Sequence, residues 1–338
     1  MIDLIIPVYK NIPGLYKTLL SVGINKNILC TIVDDCSGDD YSEIIKLFEK
    51  FFPIRVLTLS ENSGPGVARQ FGLSKTSEPY VMFIDCGDTF YSTETIPQMI
   101  DCIIQNPEIN VFSWGHFEGN DNGEPMQYCP ARHNRMHGKI YKRDFLVKYK
   151  ITFPVETSRA QEDIGFNHNC RAIIKNIALT ENKDTLLEVD EPAVVWQWDD
   201  NSIVRSNDCA YFYQKQTIGL ALGMIHAKKN LEDNNVDKDI IRDMVYQGIT
   251  AAYDFYLCTL VKRPEFMEET LAGCIIFYKE LFKPIENHDK EKLLEEWNYE
   301  LRSMICEDGY PAFSDFISID FLGFLNYLEE LSSKKEEN

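Results

Sequence analysis

The first ninety residues alternate between short runs that are apolar throughout and longer stretches with apolar residues at helical spacing. "IDLIIPV", "NILCTIVD", "IRVLTLS" and "YVMFID" are the apolar runs; "IPGLYKTLLSVGI", "DDYSEIIKLFEKFF" and "GPGVARQFGLSKT" lie between them. A strand that is apolar at every position must be covered on both faces. Strands of that kind separated by amphipathic helices predict an α/β domain with a parallel central sheet. In such sheets ligands bind beyond the carboxyl ends of the strands. Asp34, Asp35, Asn62 and Asp85 all fall at such ends.

Residues 93 to 206 are more mixed. "TETIPQMIDCIIQN" and "QEDIGFNHNCRAIIKN" read as helices, "INVFSWGHF", "ALTENKDTLLEV" and "AVVWQW" as strands, and "EGNDNGEP" as a polar turn. From about Asp208 the pattern is helical throughout, so residues 207 to 330 are expected to form an all-helical C-terminal domain and 331 to 338 a disordered tail.

The chain of 338 residues carries a formal net charge of −19. That field repels nucleic-acid phosphates and argues against a broad nucleic-acid-binding surface. "HGKIYKRDFLVKYK" is a local basic excess. The opening "MIDLIIPVYK" lacks the basic start and cleavage site of a secretory signal, and no apolar run approaches the ~18 residues of a membrane span. Ten cysteines are scattered without a CxxC pair. They read as reduced core filler in a cytoplasmic protein.

Several short stretches carry chemistry. In "VMFIDCGDTFY", Asp85 and Asp88 flank a glycine-containing turn; such a pair holds a metal or ligand, or is an ordinary polar strand end. Asp34 and Asp35 in "VDDCSGDD" can accept a nucleobase N–H or a ribose hydroxyl, with helix capping by Ser37, Asp39 or Asp40 as the alternative. In "NSGPGVARQFG", Gly64 and Gly66 open a helix and Arg69 stands where a dinucleotide fingerprint has its third glycine. This arrangement suits a pyrophosphate at a helix N-terminus with a guanidinium beside it, or a plain strand-to-helix connection. Glu162 and Asp163 of "QEDIGFN" are either helix-start charge or a general base facing a cleft.

Together "LIIPVYK", "IVDDCSGDD", "NSGPGVARQFG", "FIDCGD", "HGKIYKRDFL…ITFP", "QEDIGFN" and "WDDNSIVRS" resemble, in order, the motifs of family 2 inverting glycosyltransferases of the GT-A fold, over about residues 2 to 206. The resemblance implies a GT-A-type nucleotide-sugar-binding domain at 1 to 206. It implies donor contacts, to a UDP-sugar, from Pro7, Tyr9, Asp34, Asp35, Asn62, Gly64, Arg69, Asp85, His137, Ser202 and Arg205. It further implies Asp163 as catalytic base with Glu162 beside it, and Mn²⁺ or Mg²⁺ held by Asp88 or Asp85. The family's acidic turn reads Asp-x-Asp, whereas Gly87 occupies the usual ligand position here. Trp114, Tyr128, Trp196 and Trp198 are candidates for stacking an acceptor sugar, or for packing. His116, His133 and His168 read more simply as structural than as ligands. The acceptor is a hydroxyl on a glycan, a small molecule or another substrate, and the C-terminal helices offer a surface for oligomerisation. A sugar nucleotidyltransferase is a competing reading, but "PVYKNIPG" lacks its Gly-, Arg- and Lys-containing first turn. A degenerate nucleotide-sugar or glycan-binding module is the other, favoured by Gly87 and opposed by Glu162 and Asp163.

Overall fold

The computed structural model describes residues 1–119, 125–131, 135–157, 160–197, 210–289, 291–295 and 321–334. The predicted alternation is observed at the N-terminus: β1 (Ile2–Val8), α1 (Ile12–Val22), β2 (Ile28–Asp34), α2 (Ser42–Phe48), β3 (Ile54–Thr58), α3 (Pro65–Lys75) and β4 (Tyr80–Phe83). These four strands are parallel, with β1 between β2 and β4 and β3 beyond β2.

The chain then continues through β5 (Thr89–Phe90), α4 (Thr95–Gln105), β6 (Val111–Gly119), β7 (Pro125–Cys129), β8 (Lys139–Lys142), α5 (Arg143–Lys148), α6 (Glu162–Glu181) and β9 (Leu186–Trp196). The nine strands form one sheet in the order β3-β2-β1-β4-β8-β6-β9-β5, with β7 beside β6. The added half is mixed: β8 pairs antiparallel with β4 and β6, whereas β6 and β9 are parallel. Two expected strands are one: residues 186 to 196 run continuously, while "ALTE" of the predicted strand belongs to the last turn of α6. The hydrophobic spacing of α6 carries on through Ile173, Ile174 and Ile177, and the polar stretch 182 to 185 ends it.

Alternate residues of the buried strands feed two cores. Leu4, Ile6, Ile32, Met82, Phe112 and Ile140 pack on the α1, α2 and α4 face. Ile5, Val33, Val81, Phe83, Val111 and Tyr141 pack on the opposite face. That two-sided burial is why these strands are apolar without alternation.

The second core does not stop at the sheet. It continues through Phe166, Cys170 and Ile173 of α6 into α7 (Ala210–Asp233), α8 (Lys238–Lys262), α9 (Met267–Phe277) and α10 (Phe321–Lys334). α9 extends through a π-helical turn, Tyr278–Phe282. No strand occurs among the described residues from 210 onward. α10 runs to Lys334, four residues into the expected tail, because Ser332 and Leu328 face the core instead of solvent; residues 335 to 338 lie outside the described residues. Among the described residues no helix is long and apolar enough to cross a membrane, and the eight cysteines are free thiols.

α7 presses against the segment that leads into α6. A Cβ on Gly219 would collide with the backbone carbonyl of Ala160, whereas one on Gly223 would meet nothing closer than 3.5 Å. Overpacking costs ~1–3 kcal/mol, and Gly→Ala in a helix returns ~1 kcal/mol. Gly219→Ala is therefore expected to lower the urea midpoint, and Gly223→Ala to leave it unchanged or raise it. Equal effects from the two would show that the approach of α7 to Ala160 is not a tight one.

Candidate active site

Asp85 lies two residues beyond β4, and Arg69 lies one turn into α3. The Arg69 side chain is buried, and its two terminal nitrogens are both occupied. Nη2 donates to Asp85 Oδ1 at 2.5 Å and Nη1 to Glu162 Oε1 at 2.6 Å. Two neighbouring carboxylates outweigh the burial of the guanidinium, so its pKa rises and Arg69 stays protonated. Burial, reinforced by adjacent Asp163, lifts the Glu162 carboxyl above its ordinary range against the pull of Arg69. Burial also opposes the ionisation of Asp85, but Arg69 and His137 overcome it and its pKa falls.

An aromatic cluster backs this ion network. Phe153 stacks on Phe166 with centroids 4.1 Å apart, and Phe83 meets both edge-on. Phe83 stands two residues before Asp85 and Phe166 three residues after Asp163. The rings therefore fix the end of β4 against the first turn of α6. Asp163 sits half-buried in that turn and makes no hydrogen bond to another described residue.

The acidic turn itself is held by α1 and β9. Thr18 Oγ1 accepts from Gly87 N–H and donates to the Asp88 carbonyl, at 2.9 and 2.8 Å. Asp88 Oδ1 accepts from Gln197 N–H at 2.9 Å, while Oδ2 is buried without a hydrogen-bond partner and faces His137 Nε2 at 3.5 Å. Burial raises the Asp88 pKa despite His137, and Asp85 adds to the rise. A carboxylate in that condition lacks positive charge, which a divalent cation supplies. Ligand atoms from Asp85, Asp88 and His137 all lie within 4.8 Å of one another. The residues present therefore fit a cation.

At the other end, Asp34 Oδ1 accepts from Tyr41 Oη at 2.8 Å and from Ser37 N–H at 3.1 Å. Its Oδ2 has no hydrogen-bond partner among the described residues. Asp35 accepts from Ser63 N–H and Gly64 N–H, at 2.7 and 2.8 Å, and so fastens the loop that opens α3.

Three comparisons bear on this arrangement. The family model for glycosyl transferase family 2 matches residues 3–174. The chain belongs to that family. An uncharacterized glycosyltransferase of Rickettsia felis is 31% identical over 135 residues, covering 39% of this chain and 21% of the relative. The minor teichoic acid biosynthesis protein GgaA of Bacillus subtilis is 32% identical over 120 residues, covering 33% and 26%. The chain thus spans about a quarter or less of these relatives' length. Residues 1–349 of S. aureus TarS, in complex with UDP-GlcNAc, share the fold with a TM-score of 0.63 at 16% identity, over 90% of this chain and 91% of that one. Mannosyltransferase PcManGT from Pyrobaculum calidifontis, in complex with GDP-Man and Mn²⁺, gives 0.51 at 11% identity, over 98% and 86%.

Within this family member, Asp34 and Asp85 lie at or just beyond the carboxyl ends of β2 and β4; Asp35 bonds the Ser63–Gly64 loop, Arg69 joins Asp85 to Glu162, and His137 faces Asp88. Arg69 is buried and pairs with Asp85 and Glu162. Asp35 accepts from the Ser63 and Gly64 N–H groups that lead into α3. Pro7 is buried inside β1, whereas Tyr9, two residues on, is exposed. Ser202 and Arg205, with Trp198 and His133, lie outside the described residues.

Sequence reasoning missed Thr18, Gln197 and the aromatic setting of His137. The His137 ring lies 4.9 Å from His116 and 5.4 Å from Trp196. His116 is wholly buried, and burial pushes its pKa down to about 2. Thr18 carried a faint signal as a hydroxyl on the apolar face of α1; Gln197 acts through its backbone and carried none.

Arg69→Ala is expected to lower stability by ~3–5 kcal/mol in chemical denaturation, because it strands a buried carboxylate at Glu162. The double variant Arg69→Met/Glu162→Leu should recover much of that loss, and no recovery would show that the pair is not the cause. Burial also depresses the His168 pKa, to about 3. Below pH ~6.5 the unfolded chain binds protons at His116 and His168 that the folded chain refuses, so stability is full above that pH and falls beneath it. The slope approaches ~1.4 kcal/mol per pH unit for each group. A His168→Gln variant should therefore show a shallower decline of urea stability between pH 6.5 and 5 than the wild type.

Proposed function

We propose that the protein is an inverting glycosyltransferase that moves a sugar from a UDP-sugar to an acceptor hydroxyl, with Asp163 as general base. The observation that carries this reading is the ion network itself. Arg69 ties the acidic turn to the helix start that presents Asp163, which sets a donor-phosphate subsite beside a carboxylate with no hydrogen-bond partner among the described residues.

Asp34 receives the N–H edge of the base on Oδ2, while Tyr41 and Ser37 hold Oδ1. Asp35 shapes the Ser63–Gly64 loop that walls the nucleoside. Asp163 takes the proton of the acceptor hydroxyl as that oxygen attacks the anomeric carbon from the face opposite the leaving diphosphate. A single displacement of this kind inverts the anomeric configuration. Asp85 and Asp88 would hold a divalent cation, whose positive charge would stabilise the departing diphosphate. Arg69 acts one step back, keeping Asp85 ionised and Glu162 in place.

The UDP assignment is supported by the donor bound in the TarS complex, and cation use by the Mn²⁺ in the PcManGT complex. A glycan acceptor is supported by relatives named for teichoic acid and teichuronic acid biosynthesis.

Asp163→Asn tests the assignment. General base catalysis is worth ~10²–10⁴-fold, so release of UDP from a panel of UDP-sugars should fall by at least that factor. UDP-sugar affinity, measured by calorimetry, should stay within about twofold of wild type. Undiminished turnover in the variant would remove Asp163 from its role.

A further inference from the structure

The acidic turn carries a glycine at 87 and is faced by a histidine, His137. Gly87 adopts φ +112°, a backbone conformation that L side chains rarely take. Thr18 locks it there by accepting the Gly87 N–H and donating to the next carbonyl. An aspartate at 87 would therefore be strained, although the space around the position is open. What the turn does present is Asp88 Oδ2, buried, without a hydrogen bond, and aimed at His137.

His137 is placed from the far half of the sheet. It precedes β8, and its ring is held between buried His116 and Trp196. Neither ring nitrogen makes a hydrogen bond, although both are buried. A buried imidazole ordinarily satisfies at least one nitrogen. Here the group facing Nε2 is a carboxylate oxygen 3.5 Å away, beyond ordinary hydrogen-bonding distance. Two ligand-type atoms at that separation can both reach a cation between them, since metal–nitrogen and metal–oxygen bonds run ~2.0–2.2 Å.

We propose that His137 is a direct nitrogen ligand of the divalent cation at this site, taking the part that Gly87 leaves unfilled, and that it selects first-row transition ions over Mg²⁺. The proposal rests on the reading of this site as the donor-phosphate subsite of a glycosyltransferase. Mg²⁺ is small, keeps its water and takes oxygen ligands, whereas imidazole binds first-row transition ions readily. A set of Asp85, Asp88 and His137 should hold Mn²⁺ or Co²⁺ well ahead of Mg²⁺. The clamp of His116 and Trp196 on the ring holds the nitrogen in position before the ion arrives.

The test uses the full chain, with and without UDP. Mn²⁺ binding is followed by electron paramagnetic resonance, and nitrogen coordination by pulsed measurements on the same samples. The expected result is a coupling from one imidazole nitrogen in the wild type, lost in His137→Gln and kept in His168→Gln. Mn²⁺ affinity should fall at least ~10-fold in His137→Gln, and the excess of Mg²⁺ needed to displace Mn²⁺ should shrink with it. A wild-type spectrum without nitrogen coupling, or unaltered Mn²⁺ affinity in His137→Gln, would overturn the proposal. The wild-type spectrum decides the matter even if the variant fails to fold. Sugar-transfer assays separate this inference from the functional reading. Nitrogen-bound Mn²⁺ without transfer to any acceptor upholds the ligand assignment and sinks the glycosyltransferase, and transfer without nitrogen coupling does the reverse.

Discussion

Placing a guanidinium inside a protein is costly unless every charge around it is matched, and Arg69 is matched by carboxylates from two distant segments. Asp85 arrives from the end of β4, and Glu162 from a helix that starts 77 residues later. The two ion pairs coexist only where α3, the segment after β4 and the start of α6 meet at one point. Once they do, the same residues set the distance between the acidic turn and Asp163. The aromatic cluster of Phe83, Phe153 and Phe166 carries the packing for that junction, and the ion network gives it direction.

The sheet contributes to the site from two halves with different logic. The parallel half delivers Asp34, Asp35 and Asp85 at strand ends, because every strand there points its carboxyl end the same way. The mixed half brings His116 on β6, His137 ahead of β8 and Gln197 after β9; β6 and β9 run parallel to each other and β8 runs against them. Their convergence is a matter of pairing and register rather than of common polarity. It is this half that supplies the partner Asp88 lacks in its own turn.

The helical region also shapes the site without entering it. α6 is packed between the sheet and α7, and the close approach of α7 to Ala160 sets where the first turn of α6 begins. The shared core means that the angle of Asp163 is fixed from behind by residues more than fifty positions downstream.

Much of this was legible in the order of residues. Mostly apolar runs with helical segments between them pointed to the parallel half of the sheet, since helices between the strands cover both of its faces. The positions of Asp34, Asp85, Glu162 and Asp163 at or just beyond element ends were legible because local motifs mark those ends. The commitment of Arg69 and Asp35 to protein partners was not identifiable, and nor was the pairing of His137 with Asp88. A motif states which charges are present but not which neighbour will neutralise them. Chain order alone fixed the elements and the reactive groups at their tips. Only the folded packing decided which of those groups meet, because contacts between residues tens of positions apart depend on strand register and helix approach that local spacing does not encode.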